Sequence, residues 1–194
     1  MTKGKDGAGS NLEALSSEQR LGETVRGLRS RQGLSLRTLA TRAGFSPSFV
    51  SQIERGQASP SIASLERLAQ ALGVTLGEFF RPVATARVTR LGERAGLTSA
   101  WSHAQIEALG PTGPGRALES MMITLAPEGQ SGGRPNSHGG DEFAFVFEGT
   151  VRLTLDAEVY DLARGDAATF PAEIPHRWEN VGLEPARIVV VSVH

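Results

Sequence analysis

The stretch Leu34-Ser35-Leu36-Arg37-Thr38-Leu39-Ala40-Thr41-Arg42-Ala43-Gly44-Phe45-Ser46-Pro47-Ser48-Phe49-Val50-Ser51-Gln52-Ile53-Glu54-Arg55-Gly56 decides the fold of the first half of the chain. It reads as two short helices around a tight turn. Ser35 is placed to cap the first helix, which holds Leu36, Leu39 and Ala40 and closes at Ala43-Gly44. Ser46 followed by Pro47 is an N-cap and first-turn pair, opening a second helix over residues 47–55 that Gly56 stops. Gly44 permits the sharp turn, and Ala40 is small where the two helices cross. Val50 and Ile53 bury the back of the second helix. Ser46, Pro47, Ser48, Ser51 and Gln52 remain on its front and N-terminal end.

Working outward, Leu21, Val25, Leu28 and Arg29 recur at i, i+4, i+7 and i+8 on one face of an earlier helix that ends at Gln32-Gly33. Ser61 caps a later one with the stripe Ile62, Leu65, Leu68, Ala69 and Leu72, ended by Gly73. Residues 76–80 add a last short turn. Five helices within residues 18–81 are expected to form a compact all-α domain. Residues 1–17, rich in Gly, Ser and Lys, have little to bury and read as a disordered arm. Past Arg81-Pro82 the texture changes. Apolar segments at 86–91, 117–125, 142–147, 151–155, 166–170 and 186–193 alternate with Gly/Pro turns, as in an antiparallel barrel or sandwich. A second domain, all-β, is therefore expected over 82–194, with a linker at about 82–90.

The 194 residues carry a formal charge of only -1, but it is unevenly divided. Residues 18–81 hold nine Arg against five Glu, net +4; residues 82–194 hold nine Arg against fourteen acids, net -5. A basic head suits a polyanion, and Arg outnumbers Lys eighteen to two, a preference suited to gripping phosphate oxygens in pairs. The absence of Cys excludes disulfides, thiolate nucleophiles and Cys-bound zinc. No apolar run approaches the roughly 18 residues of a membrane span, and the first residues lack a signal-peptide pattern. A cytoplasmic protein with no membrane partner is expected.

With its motif in view, the 34–56 segment resembles the helix-turn-helix of the lambda-repressor-like (XRE) family, a likeness that extends over about 60 residues. The resemblance implies that the front of the second helix enters the major groove of double-stranded DNA. Family base-reading positions fall on Pro47, Ser48 and Gln52, with Ser46 on the same N-terminal end and Ser51 and Thr41 close to the sugar-phosphate chain. Gln52 is suited to bond adenine N6 and N7 together. Pro47 departs from the Gln common there and offers only an apolar contact. Arg37 and Arg42 are candidate phosphate clamps, positioning without specifying. Arg29 and Glu54 match a family ion pair that ties the first helix to the end of the third. One such motif covers a half-site, so a homodimer on a pseudo-palindromic operator is implied.

The stretch Asn136-Ser137-His138-Gly139-Gly140-Asp141-Glu142-Phe143-Ala144-Phe145-Val146-Phe147-Glu148-Gly149 resembles the first cupin motif, H-x-H-x(3,4)-E-x6-G, with His138, Glu142 and Gly149 at matching spacing. Gly165, Pro171, His176 and Asn180 meet the second motif, with Glu173 where a Gly usually stands. This resemblance covers about residues 85–194 and implies a double-stranded β-helix, or jelly-roll barrel. His138 and Glu142 are expected at the start of one strand and His176 at the start of another, converging at one level of the barrel. Two imidazoles and a carboxylate make a facial site for a divalent Fe, Mn, Ni, Co or Zn ion with open positions. The family's fourth ligand, a His, is replaced by Asn136, whose amide oxygen is a far weaker ligand. The same groups are equally suited to the polar head of a small organic effector.

Strand alternation adds to this. If Glu142 points inward, so do Ala144 and Val146, which leaves Phe143, Phe145 and Phe147 outside. Such a row is too large an apolar patch for a monomer and favours a dimer. His176 inward brings Trp178 inward as an aromatic wall. Arg134, in the preceding loop, is a candidate for an anionic effector; Trp101 and His103 read as packing and surface residues. The two resemblances together look like a one-component transcription regulator, with repression the expected output and the cupin binding a small-molecule effector, alone or through a metal. The alternative is a metal-dependent cupin enzyme of dioxygenase or isomerase type fused to a DNA-binding domain. A third reading, a dimeric repressor with no effector, expects a barrel interior filled by side chains.

Overall fold

Helix boundaries in the computed structural model, which describes residues 15–80, 88–113 and 115–193, follow the capping residues closely. Helix α1 (Ser17–Arg31) opens on a reciprocal cap: Ser16 Oγ accepts from the Gln19 N–H, and Gln19 Oε1 accepts from the Ser16 N–H. Ser17, expected in the arm, is thus the first helical residue; residues 1–14 of that arm lie outside the described residues. Helices α2 (Leu36–Ala43), α3 (Pro47–Glu54) and α4 (Ile62–Leu72) start behind Ser35, Ser46 and Ser61, each of whose side chains accepts from a backbone N–H one turn on. Gly44, at φ 66°, closes α2 in the left-handed conformation that the turn requires.

The expected fifth helix is a correction. Leu76–Phe79 forms one 3-10 turn, and Phe80 is already extended. Four residues are too few to establish an i to i+4 ladder, so the tighter turn results. Among the described residues the helical region therefore has four α-helices around Leu21, Val25, Leu39, Val50, Ile53, Leu65 and Leu68, all buried. No helix there is long and apolar enough to cross a membrane. Arg29 ties α1 to the end of α3 through Nε to Glu54 Oε1 at 2.5 Å and Nη2 to Glu54 Oε2 at 2.9 Å.

Among the described residues nine strands follow: β1 (Gly96–Ser99), β2 (Ala104–Ala108), β3 (Leu118–Leu125), β4 (Asp141–Glu148), β5 (Thr150–Leu155), β6 (Glu158–Ala163), β7 (Ala167–Pro171), β8 (His176–Asn180) and β9 (Ala186–Val193). They make an antiparallel six-stranded sheet in the order β1-β2-β3-β9-β4-β7 and a three-stranded one in the order β6-β5-β8. The strand expected at 86–91 is not formed by its described residues, which lead into a 3-10 turn at Leu91–Glu93; residues 82–87 of the expected linker lie outside the described residues.

Register sets out the interior in rows. Glu119, Ser192, Glu142 and Phe170 lie side by side across β3, β9, β4 and β7. The next row is Met121, Val190, Ala144 and Ala168, and beyond it come Ile123, Ile188 and Val146. One end of the interior is therefore polar. Helix α4 and the 76–79 turn dock at that end: the Gly77 N–H donates to Glu119 Oε1 at 2.9 Å, and the Ala63 N–H donates to the Ser131 carbonyl at 3.0 Å.

Two motif residues hold the barrel together. Gly149, at φ 80°, lies where a Cβ would meet Ala186 at 2.8 Å, so the turn from β4 to β5 admits no side chain. Asn180, buried, donates to the carbonyls of Leu125, Ala126 and Glu184 and accepts from the Gly182 N–H.

Candidate functional site

Helix α3 presents Pro47, Ser48 and Gln52 to solvent, with Arg37, Thr41, Arg42 and Ser46 exposed beside them; Ser51 is half-buried. Ser48 and Gln52 are four residues apart and share one helical face. Ser46 Oγ is engaged locally, accepting from the Phe49 N–H at 3.2 Å and pairing with Ser48 Oγ at 3.0 Å. Ser51 Oγ accepts from the Arg55 guanidinium. Arg67 of α4, which sequence reasoning missed, secures the α2–α3 turn: Nη2 donates to the Gly44 carbonyl at 3.0 Å and the guanidinium sits 4.3 Å from the Phe45 ring centroid.

At the polar end of the barrel, His138, Glu142 and His176 offer ligand atoms that all lie within 4.8 Å of one another. Glu142 and His176 come from β4 and β8, whereas His138 sits in the loop before β4 rather than at a strand start. Glu142 Oε2 lies 3.3 Å from His138 Nε2 and 3.8 Å from His176 Nε2, and its Oε1 accepts from Trp178 Nε1 at 3.3 Å. Each imidazole has its other nitrogen on a backbone carbonyl: His138 Nδ1 at 3.2 Å from Gly139 O, His176 Nδ1 at 2.9 Å from Ile174 O. A carbonyl only accepts, so Nδ1 carries the proton in both rings. In its neutral form each ring then turns the Nε2 lone pair toward the cluster.

Those donors fit a divalent ion. Ligands at about 2.1 Å from one ion stand roughly 3.0–3.5 Å apart at octahedral or tetrahedral angles; the 3.3 Å between Glu142 Oε2 and His138 Nε2 falls in that range and the 3.8 Å to His176 Nε2 lies just above it. The backbone carbonyls supply the outer hydrogen bonds that ligating imidazoles require. His138 titrates well above a free imidazole. Burial alone would depress its pKa, but the hydrogen bond it donates to Glu142 and the charges of Glu66 and Glu142 outweigh that and push it up to about 9.

Asn136 does not act as a simple replacement for the family's fourth His. Its backbone pairs with His176 in both directions, and its Nδ2 donates to Glu66 Oε2 at 2.9 Å. Glu66 belongs to α4 of the helical region. Burial pushes its carboxyl above the usual range against the pull of His138 and His176. A cavity of about 240 Å³ opens between the two regions, walled by Glu66 and Ala69 on the helical side and by Met121, Glu142, His176 and Trp178 on the barrel side.

The structure thus brings Asn136, His138, Glu142, His176 and Trp178 to one cavity. Arg134 is not among its lining residues: it is exposed and lines a separate pocket with Arg67 and Trp101. Glu66 and Glu119 are cavity residues that the sequence reading passed over. Both carried a signal. Glu119 holds an inward position in the alternation Glu119, Met121, Ile123, Leu125, and Glu66 falls four residues after Ile62 and three before Ala69, beside the apolar stripe of α4.

Residues 20–79 match the helix-turn-helix domain family and residues 121–192 the cupin domain family. The chain is 31% identical over 179 residues to the HTH-type transcriptional regulator PuuR of Escherichia coli, covering 91% of this chain and 94% of that one. It is also 31% identical over 164 residues to the HTH-type transcriptional regulator SutR of Escherichia coli, covering 84% of this chain and 88% of that one. A crystal structure of an HTH_3 family transcriptional regulator from Vibrio cholerae superposes with a TM-score of 0.73 at 28% identity, covering 91% of this chain and 96% of that one. The chain belongs to the lambda-repressor-like (XRE) helix-turn-helix transcriptional regulators that carry a C-terminal cupin domain.

Proposed function

We propose that residues 18–81 bind an operator through α3, as one half of a two-fold dimer, and that residues 82–194 bind a small-molecule effector whose occupancy changes DNA affinity. The observation that carries this reading is the placement of the docked barrel. It meets α4 and the 76–79 turn and leaves Pro47, Ser48 and Gln52 open to solvent. Pro47, Ser48 and Gln52 meet base edges, Ser46, Ser51 and Thr41 lie by the sugar-phosphate chain, and Arg37 and Arg42 hold phosphates.

In the barrel, His138, Glu142 and His176 hold a divalent ion or the polar head of the effector, with Asn136 and Trp178 against it. The lined cavity of about 240 Å³ supports a binding role over a filled scaffold. Relatives aligned over most of the chain are regulators, which supports binding rather than turnover as the barrel's task.

Band-shift titration on the promoter DNA of the neighbouring genes tests the first half of this reading. Affinity should fall steeply with salt because counterion release gains less as salt rises, and Gln52→Ala should weaken binding by about 1–3 kcal/mol where adenine is read. Affinity indifferent to both would overturn the placement of α3. For the barrel, native mass spectrometry of freshly purified protein should report a retained ion or small molecule that His176→Ala releases.

A further inference from the structure

Two neighbouring residues of α4 face different tasks. Glu66 reaches the barrel cavity and accepts from Asn136 Nδ2 at 2.9 Å, while Arg67 donates to the Gly44 carbonyl at 3.0 Å, in the turn that sets α2 against α3. Among the described residues the cavity is lined by three carboxylates, Glu66, Glu119 and Glu142, and by no Lys or Arg. Glu119 accepts from Gly77 of the helical region. With one amide N–H given to Glu66, Asn136 keeps its oxygen and its second N–H.

We propose that the cavity is a composite cation site in which Glu66 is a ligand-binding residue supplied by the DNA-binding domain, so that occupancy clamps α4 to the barrel and is felt at the helix-turn-helix turn through Arg67. The proposal rests on the reading of the barrel as an effector pocket and names how that pocket reports. The shared ligand chemistry is positive charge. A divalent ion would be held by His138, Glu142 and His176, with Glu66 adding negative charge to the same cavity; an organic ammonium lies between the Glu66 and Glu142 carboxylates with its aliphatic part against Met121 and Trp178. Coupling arises because a ligand bridging the domains favours one seating of α4 over others.

The test uses full-length protein with two probes, Co2+ alone in one arm and n-butylammonium with chelator in the other. Glu66→Gln keeps an acceptor for Asn136 and removes the charge. It should weaken binding of the effective probe about tenfold or more, with circular dichroism unchanged and the probe-induced shift in operator affinity reduced. Arg67→Met should bind the probe as wild type does yet lose most of that shift. Glu66→Asp, which keeps the charge, should retain part of the binding and covers the case in which Glu66→Gln does not fold. Wild-type binding and coupling in Glu66→Gln would overturn the composite site while leaving the effector pocket standing. If the wild type bound neither probe, or if Co2+ were the effective probe and His176→Gln held it as well as wild type, the pocket reading itself would fall, and this proposal with it.

Discussion

His138 links the chemistry of the site to the stability of the fold. Its pKa of about 9 in the folded chain lies above the roughly 6.5 of a free imidazole, so folding takes up a proton there. The sign follows: the stabilisation is complete below about pH 6.5 and is lost as pH rises through 9. In chelator-treated protein, urea unfolding should show stability declining by at most about 3 kcal/mol between those limits, and His138→Gln should flatten the decline. A profile unchanged by the substitution would place the proton elsewhere. The same proton competes with a metal, so Co2+ affinity should rise across this interval. Asn136→His supplies the imidazole that the family carries at that position. It should tighten Co2+ binding by about tenfold or more, the scale on which metal sites answer to one partner, and calorimetry showing no change would mean that residue 136 does not reach the ion.

Helix α1 meets α3 with almost no space between backbones, and Gly22 makes this possible. A Cβ there would lie 2.5 Å from the Ile53 carbonyl oxygen and 2.8 Å from that of Glu54. Gly22→Ala should therefore destabilise the domain by about 1–3 kcal/mol through overpacking. Gly27→Ala, on the same helix with Arg31 Nη1 the nearest atom at 3.5 Å, should stabilise it by roughly 0.5–1 kcal/mol from helix propensity. Equal effects in urea titrations would contradict the close crossing. Elements of this kind were legible where local chemistry decides them. Ser35, Ser46, Ser61, Gly44 and Gly73 mark helix ends by their own hydrogen bonding and backbone freedom. Strand β6 was not legible, because Glu158–Ala163 is an edge strand exposed on both faces and has no alternation to read. The β1–β2 hairpin is short, and its turn at Trp101-Ser102-His103 depends on His103 adopting φ 50°, which residue type does not announce. Within the site, spacing along the chain found His138, Glu142 and His176, but Glu66 reaches them only through the docking of one domain on the other.

The proposed two-fold dimer needs a surface to join its copies, and we propose the outer face of the six-stranded sheet for that role. Phe143 and Phe147 are 41% and 49% exposed on β4, Leu118 on β3 is 56% exposed and Val193 on β9 is 46% exposed. Register places Phe143 beside Val191 and Phe145 beside Val189, so the apolar side chains run across strands rather than lying scattered. The inner faces of those strands are already occupied by Glu142, Ala144, Val146, Ile188 and Val190, and a second copy laid sheet to sheet would cover the outer ones. Arg187, 5.3 Å from the Phe147 ring and 3.7 Å from Glu148, would stand at the polar rim of such an interface. Phe143→Glu combined with Phe147→Glu brings like charges together at the centre of a two-fold contact. The variant should sediment as a monomer with the helical domain folded. It should keep its affinity for a half-site and lose the tighter binding to the full palindrome. A double variant that still sediments as a dimer and binds the palindrome as wild type does would move the proposed interface to another surface.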